Sequence, residues 1–273
     1  ALIQKNISFK NLGLIIIDEQ HKFGVKQRIE LSKKGGKDCD ILLMSATPIP
    51  RTLILAIYGD MDVSRLVEKP INRKDIITLS KPEEKIDEIL IFIRKQIKNG
   101  NQVFWVCPLI EESKKLDFSA AVKKYNHLSK KFGKKVGLIH GGLQKDERDK
   151  VLNNFLTKSI DILVSTTVIE VGIDFPNANV IIIENSNKFG LSQLHQLRGR
   201  VGRSANKRGY AYLTYQKETD LNDKSTKRLN IINTFDKIGS GFNIASSDLD
   251  LRGSGNIIGT DQSGFIKEAV SYT

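Results

Sequence analysis

The sequence lacks the features that mark membrane, secreted and disulfide-rich proteins. Its two cysteines, Cys39 and Cys107, are far apart, and neither has a histidine or another cysteine at metal-ligand spacing. This pattern argues against a disulfide framework or a zinc site and fits the reducing cytoplasm. No apolar run approaches the ~18 residues of a membrane-spanning helix, and no basic-then-apolar signal opens the chain. We therefore expect a cytoplasmic protein with no membrane partner.

Positive charge is what the sequence has in excess. The 273 residues carry a formal net charge of +12 with a pI near 9.5, which favours a polyanionic partner such as nucleic acid. A general enrichment in lysine would produce the same balance, so charge alone leaves both explanations open. The length allows one large domain or two ordinary ones. The chain begins at Ala1 rather than at a methionine, which suggests a fragment of a longer protein.

Short apolar runs alternate with amphipathic stretches along most of the chain. Residues 12–18 and 41–47 are typical of buried strands, and residues 51–59 are typical of a helix. A proline-containing connector is predicted at 67–85, and a helix with apolar positions at helical spacing overlaps its end at 83–100. Further strands, among them the apolar runs at 102–110 and 179–186, then alternate with helices. This order predicts an α/β fold with mostly parallel sheets, in which ligands lie beyond the carboxyl ends of the strands.

Polar clusters follow the first two predicted strands. The sequence DEQH (18–21) comes directly after one strand, and SATPIPRT (45–52) ends the other. A carboxylate at a strand end can hold Mg²⁺, and its neighbour can activate the attacking water in phosphoryl transfer. On that reading, Gln20 and His21 would sense the γ-phosphate. The alternatives are a strand that leaves the core into a polar loop and an ordinary Ser/Thr/Pro turn.

The stretch LHQLRGRVGRS (194–204) concentrates arginine and glycine. Arg198, Arg200 and Arg203 are predicted to form one compact cationic loop, because the two intervening glycines let the backbone turn. Arginine donates two parallel hydrogen bonds to phosphate, and such an arginine supplied across an interface is worth ~10³–10⁵ in phosphoryl-transfer rate. The alternative is a solvated basic loop. Hydroxyls and acids in VSTTVIEVGIDFPN (164–177) suit a loop that contacts a nucleic-acid backbone on one side and a nucleotide on the other.

Taken in order, DEQH, SATPIPRT, STTVIEVGIDFP and QLRGRVGR resemble motifs II, III, V and VI of superfamily 2 helicases. The longer stretches DEQHKFGVKQR, LMSATPIPRTL and FGLSQLHQLRGRVGR are similar to the bacterial RecG family of branch-migration helicases. The resemblance implies RecA-like parallel sheets, with part of a first motor domain at 1–70 and a complete second motor domain at 71–228. A helical hairpin and hook would follow at 229–273. The implied activity is ATP-dependent translocation on double-stranded DNA, by a monomer, to remodel stalled forks and Holliday junctions in repair and recombination.

The resemblance also implies roles for single residues. Asp18 and Glu19 would coordinate Mg²⁺ and activate water. The residues that would couple hydrolysis to movement are Ser45, Ala46, Thr47, Arg252 and Gln262. Those expected to face ATP from the second domain are Gln196, Gly172, Asp174, Arg200 and Arg203. Those expected to touch DNA are Thr166, Thr167, His140 and Gly141.

One family feature is missing from the sequence. The phosphate-binding motif G-x-x-x-x-G-K-[ST] does not occur; by family order it would precede residue 1, so the chain alone is expected to be inactive as an ATPase. Two other functions stay open. Residues 239–264 also resemble the transcription-repair coupling factor Mfd, which would make RNA polymerase the partner. A basic nucleic-acid-binding protein without enzymatic activity is the second alternative.

Overall fold

The computed structural model describes most of the chain, and the fold below refers to that part. The described residues are 2, 4, 6–19, 25–35, 38–45, 62–64, 66, 68, 73–108, 114–166, 174–204, 207–217, 219, 221–234 and 244. The chain divides into two compact units, the first holding the described residues up to 45 and the second those from 62 to 244. The predicted helix at 51–59 lies outside the described residues.

The first unit contains a two-stranded parallel sheet. Strand β1 (Leu14–Ile17) pairs in register with β2 (Asp40–Leu43), and helix α1 (Val25–Gly35) connects them. Both strands were expected to be buried on both faces. Instead, only Ile15 and Ile17 of β1 are buried, while Leu14 and Ile16 are about half exposed. The difference arises because alternate residues of a strand point to opposite faces, and one face of this sheet is uncovered among the described residues.

The second unit is a six-stranded parallel sheet with helices on both faces. Its strand order is β3-β8-β7-β4-β6-β5. The strands are β3 (Ile77–Pro82), β4 (Gln102–Val106), β5 (Val136–Ile139), β6 (Ile162–Ser165), β7 (Ala178–Ile183) and β8 (Tyr210–Tyr215). The helices are α2 (Ile86–Lys98), α3 (Lys114–Phe132), α4 (Lys145–Leu156), α5 (Leu191–Arg198) and α6 (Asp223–Thr234). The predicted mixed α/β class with parallel sheets is confirmed.

Two apolar layers enclose the second sheet. Every residue of β4 and β7 is buried, as expected for central parallel strands. Alternate residues of β4 enter different layers: Phe104 and Val106 face one, while Val103 and Trp105 face the other. Helices α4, α5 and α6 cover the first layer, and α2 and α3 cover the second. None of the helices in the described ranges is both long and apolar enough to cross a membrane.

Strand β3 lies within the segment that was predicted to be a connector. It pairs with β8 alone and forms one edge of the sheet. Its six residues are half-buried or exposed, and an edge strand has no need for a continuous apolar run. The composition of residues 67–85 therefore concealed a strand. The predicted boundary after residue 228 also falls inside α6, which packs on the second unit through Leu229 and Ile232.

Candidate nucleotide and nucleic-acid sites

Asp18 and Glu19 follow β1 directly. The Glu19 amide donates a hydrogen bond to Asp18 Oδ1 at 2.8 Å, so the two carboxylates are held by one local turn. Glu19 has φ 49°, a left-handed conformation that costs a non-glycine residue roughly 1–2 kcal/mol. Strain of this kind is concentrated at functional sites. Carboxylate oxygens are ligands that Mg²⁺ accepts, and one or two of them suffice when phosphate oxygens and water complete the shell.

Ser45 lies beside these acids, at the end of the neighbouring strand. Ile17 pairs with Leu43, and the Met44 amide donates to the Ile17 carbonyl at 2.8 Å. Residues that follow β1 and β2 therefore meet at the same edge of the sheet, as the sequence predicted. Gln20, His21, Ala46 and Thr47 lie outside the described residues, so their predicted roles stay predictions.

The carboxyl ends of β5 and β6 bring together residues that were predicted to touch DNA. His140 follows β5, and the amide of Thr166, which follows β6, donates to the Ile139 carbonyl at 3.3 Å. The Gly142 amide donates to His140 Nδ1 at 3.1 Å, which leaves the ring proton on Nε2. Burial lowers the pKa of His140, so the ring is neutral at pH 7. Gly141 is exposed beside it, while Thr167 lies outside the described residues.

Two further strands end at this carboxyl edge with a polar cluster that sequence reasoning missed. Glu184, after β7, pairs with Lys124 of α3 at 2.5 Å and accepts a hydrogen bond from Cys107, after β4, at 3.5 Å. The Lys124 ammonium also lies 5.3 Å from the centroid of the Trp105 ring. Burial raises the pKa of the Cys107 thiol, and Glu184 raises it further. The thiol is 1% exposed and packs among the apolar residues of the second layer.

Residues 199–204, which we call the arginine loop, lie at the opposite edge of the same sheet. The α/β pattern predicted ligands beyond the carboxyl ends of the strands, whereas this loop lies at their amino ends. The Ser204 hydroxyl donates to the Pro176 carbonyl, and the Gly209 carbonyl accepts from Ile77 at 2.9 Å. Pro176 and Gly209 precede β7 and β8. Helix α5 begins near the carboxyl end of β7 and runs back along the sheet. The arginine loop that follows it therefore lies at the amino ends of the strands, which we call the amino edge.

Glycine lets the arginine loop pack closely on the start of β8. Gly202 has φ 68°, and a Cβ added to it would lie 3.1 Å from the Gly209 Cα. Within the loop, Arg203 Nε donates to the Gly199 carbonyl at 3.3 Å, and Arg203 Nη1 lies 3.5 Å from Asp174 Oδ1. The structure thus joins two predicted nucleotide-facing residues, Asp174 and Arg203, at one place. Gly172 lies outside the described residues.

Arg198 does not belong to the cationic loop that was predicted from its spacing. Its side chain is 5% exposed, and Nη1 donates to the Ile232 carbonyl of α6 at 3.0 Å. Its other terminal nitrogen lies 3.2 Å from His195 Nδ1; because arginine has no acceptor, His195 accepts and carries its proton on Nε2. Burial, and next the charge of Arg198, lower the pKa of His195 to about 4. Gln196 lies between them on α5.

Comparison with known proteins supports the interpretation of the motifs as helicase motifs. Residues 81–205 match the family described as the helicase conserved C-terminal domain. The ATP-dependent DNA helicase RecG of Thermotoga maritima is 50% identical over 97% of this chain, and that of Bacillus subtilis is 47% identical over 97%. This segment is RecG-like. It spans 33% and 38% of the lengths of those two relatives, so it corresponds to roughly a third of a RecG protein.

Solved structures agree with the RecG-like assignment. A structure of RecG bound to a three-way DNA junction covers 93% of this chain with a TM-score of 0.72 and 45% identity, and the chain covers 32% of it. The helicase Lhr of Mycobacterium smegmatis, bound to single-stranded DNA and AMP-PNP, gives a TM-score of 0.60 at 16% identity, over 80% of this chain and 31% of Lhr. At that identity, the Lhr match supports the fold alone. Arg252 and Gln262 lie outside the described residues, as does most of 239–264, so the resemblance to Mfd stays a prediction.

Proposed function

We propose that this segment forms part of an ATP-dependent DNA helicase that translocates on branched double-stranded DNA. The observation that carries the proposal is the similarity to RecG over 97% of the chain, which includes every motif named above. A formal net charge of +12 suits a protein that holds DNA phosphates. In this function, ATP hydrolysis drives movement that remodels stalled forks and Holliday junctions.

The nucleotide chemistry is assigned to two groups of residues. Asp18 and Glu19 supply carboxylates at the end of β1, where Asp18 would hold Mg²⁺ and Glu19 would orient and deprotonate the attacking water. When bound, Mg²⁺ neutralises part of the charge on the phosphate oxygens. Arg200 and Arg203 would stabilise the charge that develops on the transferred phosphoryl group. Asp174 would hold Arg203 until the nucleotide takes its place.

The DNA contact is assigned to the carboxyl edge of the second sheet. His140, Gly141 and Thr166 meet there at the ends of adjacent strands. A neutral histidine and an exposed backbone suit hydrogen bonds to the phosphate backbone, which position DNA without reading its sequence. Thr166, which is 5% exposed, adjoins them. The arginine loop lies at the other edge of the same sheet. The nucleotide and the DNA would thus contact one domain at opposite ends of its strands.

Substitution of the proposed general base tests the function. Glu19→Gln is made in the full-length protein, meaning this segment joined to a phosphate-binding loop, with Glu30→Gln on the exposed side of α1 as the matched control. Glu19→Gln should lower kcat for ATP by at least about 100-fold, within the range of general-base contributions. Binding of a fluorescent ATP analogue should persist, and Glu30→Gln should match the wild type in both assays. Normal turnover by Glu19→Gln would reject the proposed site.

A further inference from the structure

Arg73, which no sequence motif singled out, lies against the arginine loop. It precedes β3, and its Nη2 donates to the Gly199 carbonyl at 3.5 Å. The same carbonyl accepts from Arg203 Nε at 3.3 Å, and Arg203 Nη1 lies 3.5 Å from Asp174. Two guanidinium groups therefore share one backbone oxygen, and a carboxylate lies against one of them. Arg73 reaches this cluster because β3 and β8 are parallel neighbours, so residues before both strands meet at the amino edge.

The charges in this cluster do not balance. Arg73 and Arg203 carry like charges beside the Asp174 carboxylate, and arginine stays charged in proteins. Burial lowers the pKa of Arg73, the charge of Arg203 lowers it further, and Asp174 acts in the opposite direction. The Arg73 Nε is buried and has no hydrogen-bond partner among the described residues. Repulsion between the two arginines raises the free energy of the arrangement in which Arg203 is held by Asp174 and Gly199.

An anion that binds Arg203 would relieve this repulsion. We propose that Arg73 is a positioning residue for Arg203: its charge weakens the hold of Asp174 and Gly199, so that the Arg203 guanidinium transfers readily to a nucleotide phosphate. Without Arg73, Arg203 stays paired with Asp174, and the phosphate must compete with a more stable ion pair. The inference rests on the proposed function, because it assumes that Arg203 acts on a bound nucleotide.

The test compares Arg73→Gln and Arg73→Lys with wild type in the full-length protein, using steady-state kcat and KM for ATP with DNA present. Arg73→Gln should lower kcat/KM by about 10-fold, which corresponds to the loss of one modest charge interaction. Arg73→Lys keeps the charge and should stay within about threefold of wild type. Arg94→Gln is the matched control, because Arg94 also donates to a backbone carbonyl, that of Lys131, but lies on α2. It should leave kcat/KM unchanged.

A double-mutant cycle separates a role through Arg203 from a general structural role. In single-turnover assays, Arg203→Ala should slow hydrolysis strongly, and adding Arg73→Gln to it should change the rate by less than about twofold. The inference is overturned if Arg73→Gln alone has no effect, if the two effects multiply, or if Arg73→Lys is as impaired as Arg73→Gln. Normal hydrolysis by Arg203→Ala would instead overturn the proposed function, so the two failures are distinguishable.

Discussion

At the scale of single residues, burial separates arginines that sequence spacing placed together. Arg198 and Arg203 are five positions apart, yet Arg198 is 5% exposed and bonds the α6 backbone while the side chain of Arg203 is 33% exposed beside Asp174. A buried guanidinium that satisfies a backbone carbonyl cannot leave it without a large cost. Arg198 joins α5 to α6, so the proposed transfer to an anion concerns Arg203 and not Arg198.

His195 makes stability depend on pH at the α5–α6 contact. Its folded-state pKa of about 4 lies below the usual 6.5, so the unfolded chain binds a proton first as pH falls. Stability is complete above about pH 6.5 and declines toward pH 4, with a loss of about 2 kcal/mol between pH 7 and pH 5. His195→Gln should lack this component. Urea unfolding of both proteins at pH 7, 6 and 5 measures the difference, and parallel pH dependence would contradict the assignment.

At the scale of elements, periodic apolar patterns predicted the central strands and the helices. Features that depend on the spatial neighbours of an element were not predicted. Continuous apolar runs identified the central strands β4 and β7, and helical spacing identified α2, whose Ile89, Leu90 and Ile93 are buried. The edge strand β3 was not predicted, because a strand with one neighbour carries no such run. The position of the arginine loop at the amino edge was not predicted either, since it depends on the path of α5. Arg73 could have been found only by knowing that β3 lies beside β8.

The close contact between the arginine loop and β8 gives a prediction for Gly202. An alanine there would adopt φ near 68° and would place its Cβ 3.1 Å from the Gly209 Cα. Gly202→Ala should lower the free energy of unfolding by about 2 kcal/mol and reduce ATP turnover of the full-length protein. Gly141→Ala is the control for stability, because a Cβ there meets nothing within 4 Å. Equal free energies of unfolding for the two variants would contradict this prediction, because they would show that the arginine loop accommodates the added Cβ without loss of stability.

At the scale of the whole molecule, the sequence contains the proposed catalytic residues but not the phosphate-binding motif. The Asp18–Glu19 pair belongs to the first unit and the arginine loop to the second, while the G-x-x-x-x-G-K-[ST] motif is absent from the sequence. The proposed site for the triphosphate therefore also needs a phosphate-binding loop, which this sequence does not supply.

The chain by itself should show no ATP turnover above background, with or without a three-way DNA junction. Phosphate release is the measurement, and the full-length protein under the same conditions is the positive control. Because this sequence lacks the amide-rich motif that cradles phosphates, we expect ATP to bind too weakly for turnover. Turnover by the chain that disappears in Arg203→Ala would show that another segment of this sequence holds the phosphates.

The parallel sheet of the second unit is expected to be stiff along its strands. Its strands, four to six residues long, span about 13–20 Å, and every one is hydrogen-bonded to a neighbour. A close-packed slab of this kind compresses very little. Under the proposed function, a displacement of the arginine loop would therefore reach His140 and Thr166 with little loss to bending of the domain.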